Sequence, residues 1–153
     1  MRCASLLVAL VTVCFIVVAC GGSQVKPVFE EPTISLPGDM LFDINSAQLK
    51  PEARAELQRW ARDMLMRETA QSHSFFVEGH ACDIGTRAYN VELSQKRADV
   101  IARVLIDEFG VDRSRVVARG YGSDRPVAHN ISEENRMKNR RVVILLEAEA
   151  TAP

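Results

Sequence analysis

The residues whose types could do chemistry in this chain are few, and His73, His80, Cys82 and Asp83 are the ones that suit a transition metal. His80 and Cys82 lie two apart, so an extended backbone would put both on one face, and imidazole with thiolate suits zinc or copper. No second paired motif completes a four-ligand set, so the spacing does not define a metal centre. Enzyme templates fail as well. There is no G-x-S-x-G elbow and no phosphate-cradling P-loop, and Gly120-x-Gly122 lacks a further glycine at the dinucleotide spacing. Cys82 and His80 are also too close in sequence to read as a thiol-protease pair without further partners. Neither a cofactor nor a turnover chemistry is expected.

Cys20 belongs to a different chemistry. It follows Arg2 and a run from Ala4 to Ala19 in which only Ser5 and Thr12 are polar, about the length of a signal-peptide core and marginal for a bilayer span. The end of that run, Val17-Val18-Ala19-Cys20 before Gly21-Gly22-Ser23, resembles the lipobox of bacterial lipoproteins, in which the Cys is acylated and becomes the first residue. Residues 1–19 are therefore expected to be a lipoprotein signal peptide, the alternative being an uncleaved transmembrane helix. Acyl chains contribute about 0.8 kcal/mol per buried CH₂, so several of them anchor a domain firmly. Gly21 after the Cys resembles the sorting pattern for the outer membrane. Cleavage would remove Cys3 and Cys14, leaving Cys82 as the one unmodified cysteine and excluding an intramolecular disulfide.

The whole chain has 153 residues, 47% of them hydrophobic and 25% charged, a composition that excludes a long disordered protein. Its net charge of -1 builds no basic field for nucleic acid. Residues 20–37 carry three prolines and no clear period, and read as a lipidated N-terminus and flexible tether. From residue 38 the pattern becomes regular. Met40–Ile44 reads as a strand; Pro51 opens a helix with Ala53, Leu57, Trp60, Ala61, Met64 and Leu65 on one face. Ser74–Glu78 is a second strand, Thr86 a plausible N-cap for a helix that Gly110 stops, and Arg115–Tyr121 a third strand. A short helix around Ser132–Met137 and a strand at Arg141–Leu146 complete the domain, with residues 149–153 as a tail. The order β-α-β-α-β-(α)-β predicts a two-layer α/β (α+β) sandwich, its helices packed on a small mixed sheet.

On this scaffold sit Phe42-Asp43-x-x-Ser46-x-x-Leu49, Val77-Glu78-Gly79-His80, Gly85-Thr86-x-x-Tyr89-Asn90-x-x-Leu93-Ser94-x-x-Arg97-Ala98, Gly120-Tyr121-Gly122 and Asn139-Arg140-Arg141-Val142. In order and spacing they resemble the OmpA-like peptidoglycan-binding domain over residues 38–148, and the lipobox and tether resemble its lipoprotein branch, the peptidoglycan-associated lipoproteins. The resemblance implies non-catalytic binding of the peptidoglycan stem peptide through its diaminopimelate. It also implies an outer-membrane location with the domain facing the periplasm, and protein partners of a Tol-Pal-like system.

Diaminopimelate offers an ammonium and a carboxylate at one end, so a receptor needs an acid and a guanidinium, and Arg meets a carboxylate with two parallel bonds. In the family an Asp two residues after Gly-His takes the ammonium and the Arg of Leu-Ser-x-x-Arg-Ala takes the carboxylate. The Arg is Arg97; read from its helix position alone it is a solvated charge or half of an ion pair. The Asp position holds Cys82, with Asp83 next to it. A thiol carries no charge near neutral pH unless its pKa is lowered, so the expected substitute is Asp83 in a shifted turn, with Asp43 as the other acidic contributor. Asp83 equally reads as an exposed loop charge. Phe42 walls the pocket or belongs to the core, Asn90 donates to the ligand or fixes the loop, and strand alternation points one of Arg140 and Arg141 toward the site, Arg140 being the choice. The alternative function is an envelope protein-interaction scaffold that keeps this fold but has lost diaminopimelate binding through Cys82.

Overall fold

A computed structural model describes residues 33–65 and 73–148. The expected signal peptide, Cys20, the tether before Thr33 and the 149–153 tail lie outside the described residues. In chain order the elements are β1 (Thr33–Pro37), α1 (Gly38–Leu41), α2 (Pro51–Leu65), β2 (His73–His80), α3 (Arg87–Asp107), β3 (Val116–Gly122), α4 (Glu133–Asn139) and β4 (Arg141–Ala148). They form a mixed four-stranded sheet in the order β1-β4-β2-β3. β4 runs antiparallel to both β1 and β2, whereas β2 and β3 are parallel, a pairing that needs a crossover connection, here supplied by α3.

Period-two alternation decides the faces of the sheet. Phe75 and Val77 of β2, Val142, Ile144 and Leu146 of β4, and Leu36 of β1 are buried against Ala98, Ile101 and Leu105 of α3 and Ala53 and Leu57 of α2. Phe76 pairs with Val117 and with Leu145 on the opposite face of the sheet. The helix faces follow the expected spacing: Ala53, Leu57 and Ala61 of α2 are buried, with Trp60 partly so. The ends of α3 carry their signals as well. Thr86 Oγ1 accepts from the Tyr89 N–H at 3.2 Å, and beyond the last turn the Gly110 N–H reaches the Ile106 carbonyl at 3.2 Å with Gly110 at φ +70°.

Helix α3 touches the sheet backbone itself. A Cβ at Gly79 would lie 2.1 Å from the Ser94 carbonyl oxygen, and one at Gly120 would lie 2.3 Å from the Gln95 nitrogen. Where side chains are excluded, hydrogen bonds take their place. Ser94 Oγ accepts from the Gly122 N–H (2.9 Å) and donates to Val91 O (2.9 Å), while Gln95 Oε1 accepts from the Gly120 N–H (2.8 Å).

The N-terminal edge differs from the sequence expectation. Met40–Ile44 is not a strand: the Phe42 N–H donates to Gly38 O at 2.8 Å, closing a single helical turn, and Phe42 contributes only one bridge, to Leu49. Leu41 and Phe42 are consecutive and both inaccessible, which a strand with one solvent face cannot achieve. The first strand is instead Thr33–Pro37, inside the stretch read as tether, so the folded domain begins earlier than residue 38. Ile34 and Leu36 face inward, and Pro37, at the end of an edge strand, costs no ladder bond to a further neighbour. β3 also starts one residue later than expected, because Arg113–Arg115 forms a 3₁₀ turn capped by Asp112.

On the face of the sheet opposite α3, His80 is only 2% exposed, and neither ring nitrogen has a hydrogen-bond partner among the described residues. Its ring stacks on Tyr121 with centroids 5.5 Å apart, and the Arg125 guanidinium lies 3.7 Å from the centroid of the Tyr121 ring. Glu78 Oε2 stands 3.4 Å from Nε2, and burial, followed by the charges of Arg141 and Arg125, pushes the His80 pKa down to about 4.

Two outcomes follow from this packing. Gly120→Ala forces α3 off the sheet and is expected to cost about 2 kcal/mol or more in a denaturation experiment, whereas an Ala at Gly110, where nothing lies within 4 Å, costs only the strain of its positive φ. The second outcome concerns pH. A histidine whose folded pKa lies below its unfolded value binds its proton first in the unfolded chain, so stability falls as pH drops from about 6.5 toward 4. Between pH 7 and 4.5 that loss is about 2–3 kcal/mol, and a His80→Asn variant, compared by thermal melts, should lose correspondingly less over the same interval.

Candidate functional site

A cleft of ≈ 500 Å³ opens between α1, the 43–50 loop, the 81–85 loop, α3 and the start of β4. Six residues singled out in the sequence line it: Phe42, Asp43, Cys82, Asn90, Arg97 and Arg140. Their convergence is a matter of helix register. Asn90, Leu93 and Arg97 fall on the face of α3 that also carries Ser94, and the contact of Ser94 with β2 and β3 fixes that face.

Asn90 does its work on the loop. Its Nδ2 donates to the carbonyls of Cys82 and Ile84, both at 3.0 Å, which pins the segment between β2 and α3. Gly85, at φ +96°, completes the turn into the Thr86 cap. Cys82 is consequently held at the cleft wall, with its Sγ 3.8 Å from Arg140 Nη1.

Arg97 is 4% exposed, yet no carboxylate pairs with it among the described residues. Its Nε donates to Ser46 O (2.8 Å) and Nη2 to Asp43 O (3.2 Å), and the guanidinium carbon stands 5.2 Å from the centroid of the Phe42 ring. The two sequence alternatives, a solvated charge or an ion pair, are both replaced by this arrangement. Burial lowers the Arg97 pKa, while the negative charge of Asp39 acts in the opposite direction. A guanidinium starts so far above neutrality that it stays charged. The inaccessible ring of Phe42 belongs to the core and also lies under Arg97 at the cleft.

Arg140 is handled differently. Nε and Nη2 clamp the Asp39 carboxylate (Nε to Oδ1 3.0 Å, Nη2 to Oδ2 2.9 Å), and Nη2 also donates to Glu133 Oε1 at 2.6 Å. These bonds, that of Asp39 first, raise the Arg140 pKa. Asn139 sets the start of β4 by using its amide to close the preceding loop onto Val127, Ala128 and Asn130. Arg141 points elsewhere, donating to the carbonyls of Asn139 and Arg125.

The two expected acids are less central than their sequence positions imply. Asp83 is not among the cleft residues; its carboxylate is half exposed and sits 3.3 Å from Arg136 Nε. Asp43 borders the cleft, but its side chain is 77% exposed and pairs with Lys50 at 3.3 Å, since it is the Asp43 carbonyl that faces Arg97. Asp39, which sequence reasoning missed, lies inside. It has no periodic signal, and the only cue is its place next to Gly38, whose N–H bonds the Arg140 carbonyl at 2.7 Å and so brings the two residues together. Exposed Ile44 and Ile84 add apolar surface to the same cleft. The site can thus take a carboxylate on a buried guanidinium and an aliphatic chain against two isoleucines.

The chain is 43% identical over 112 residues to outer membrane porin F of Pseudomonas aeruginosa, an alignment covering 73% of this chain and 31% of the porin. It therefore spans about a third of the length of that relative. Among solved structures, the cell wall anchor of the T6SS from Pseudomonas aeruginosa superposes with a TM-score of 0.67 at 36% identity, covering 76% of this chain and 81% of that one. The peptidoglycan-associated lipoprotein from Burkholderia pseudomallei gives a TM-score of 0.61 at 27% identity, with 74% and 89% covered. A family model matches residues 41–140, a span that contains every cleft residue except Asp39. With the fold, the ordered motifs and this match in agreement, the chain belongs to the OmpA family.

Proposed function

We propose that this protein binds peptidoglycan without turnover, gripping the diaminopimelate of the stem peptide, and that a lipid on Cys20 holds it at the outer membrane so that it links membrane to wall. The observation that carries the reading is Arg97: a guanidinium at the cleft, nine-tenths buried, braced by two backbone carbonyls and paired with no carboxylate among the described residues. Leaving a buried cation without an anion is costly, and a ligand carboxylate relieves that cost. The kinship with a wall anchor and with a peptidoglycan-associated lipoprotein supports the same ligand class. Ile44 and Ile84 suit the methylene chain that separates the two ends of diaminopimelate.

Binding to purified sacculi tests this. Arg97→Ala should lower co-sedimentation at least tenfold, since a charge-assisted bond of about 1.5–3 kcal/mol is lost, with far-ultraviolet circular dichroism unchanged. Arg97→Lys keeps the charge without the planar fork and should fall between the two. Undiminished sedimentation of the Ala variant would remove Arg97 from the site. For the anchor, Cys20→Ala should yield a chain that incorporates no radiolabelled fatty acid and no longer fractionates with outer membranes, because the thiol is the atom acylated.

A further inference from the structure

We infer that Asp39 is the residue that receives the ligand's ammonium in this chain, in place of an acid at the position of Cys82. The inference rests on the wall-binding reading and adds to it the residue that discriminates a ligand carrying both charges from one carrying the carboxylate alone.

Four acids stand near the cleft, and the geometry separates them. Asp83 is held outside by Arg136, and Asp43 is turned to solvent on Lys50. Glu133 lines the cleft but is 61% exposed, with its carboxylate shared between Arg140 and Arg136. Asp39 is the one fixed at both ends. Its carboxylate is clamped by Arg140 Nε and Nη2, and its carbonyl accepts from Lys50 Nζ at 2.8 Å. The Arg140 guanidinium that holds Asp39 through Nε and Nη2 reaches Cys82 Sγ with Nη1, so Asp39 and Cys82 sit on two edges of one shared guanidinium, both at the cleft. A carboxylate has about four lone-pair sites, and the Arg140 clamp leaves room on both oxygens for an ammonium donor. The charge of Asp39 also reaches Arg97, as that group's opposing influences show, so the two opposite charges needed for a zwitterion are within electrostatic range of each other.

The test uses the full chain in detergent micelles and two synthetic stem tetrapeptides. One contains meso-diaminopimelate; the other contains 2-aminopimelate, with hydrogen in place of the distal amine. Calorimetry on the wild type should favour the first peptide at least tenfold. Asp39→Asn should abolish that preference by weakening the diaminopimelate peptide at least tenfold while leaving the aminopimelate peptide within about twofold. Cys82→Asp provides a second measurement that does not depend on the stability of the Asn variant. With Asp39 already serving the ammonium, the added acid should change affinity for the diaminopimelate peptide less than about threefold. A tenfold gain from Cys82→Asp would mean that the site lacks a working acid and would overturn the role of Asp39. An Asp39→Asn chain that keeps its preference, or that weakens equally toward both peptides, would overturn it too, the latter by making Asp39 only a support for Arg140. A wild type that binds neither peptide is a separate result, removing wall recognition itself.

Discussion

The wall of the cleft that carries Asn90 and Arg97 depends on how closely α3 lies on the backbone of β2 and β3. Gly79 and Gly120 leave no Cβ between helix and strands, and Ser94 and Gln95 convert that contact into hydrogen bonds with the β3 end. A helix resting on larger side chains would sit farther off and could rotate by small amounts as the core repacked. One that is bonded to strand N–H groups has its register fixed. Asn90 then meets the 81–85 loop about a turn before Ser94, and Arg97 enters the cleft about a turn after it. The site is as accurately placed as the glycines allow, and neither glycine touches the cleft.

Within the cleft the charges are handled in two opposite ways. Arg140 is bonded by both Asp39 and Glu133, so one guanidinium stands against two carboxylates and its own charge is fully compensated. Among the described residues, Arg97 is braced by two carbonyl dipoles and the Phe42 ring, which orient it without cancelling its charge. Nearly all the uncompensated positive character of the buried wall therefore belongs to one residue. Cys82 adds to this asymmetry, because a thiol beside Arg140 contributes weak hydrogen bonding and little field.

The helices and inner strands were legible because their signals are local: Pro51 at a helix start, Thr86 as a cap, Gly110 as a stop, and alternation in β2 and β4. The long motif around Asn90 and Arg97 located one wall of the cleft for the same reason. The N-terminal edge was not legible. Thr33–Pro37 has the alternation of a strand, but Pro37 at its end and Pro32 just before it read as tether, and what makes it a strand is the free edge of β4 more than a hundred residues away. Asp39 was missed for a related reason, since its partner Arg140 is 101 positions distant and the contact arises from the backbone bond of Gly38. Asp83 is the converse case: adjacency to Cys82 suggested a substitute, yet in three dimensions Arg136 pulls its carboxylate to the other side of the loop.

The edge strand also has a mechanical meaning. β1 is the first described element and runs antiparallel to β4, with Thr33 opposite Leu145 and Pro37 opposite Arg141. A pull on the chain from the N-terminal side of Thr33 is therefore borne first by the β1–β4 ladder. When the force runs along the strand the ladder bonds are loaded together, in shear; when it runs across the sheet they open in succession from Thr33. The next residues in the load path are Gly38 and Asp39, hydrogen-bonded to Arg140, so tension that strips β1 arrives next at the wall of the cleft. The edge ladder and the wall of the cleft are thus joined in a single stretch of seven residues, Thr33 to Asp39.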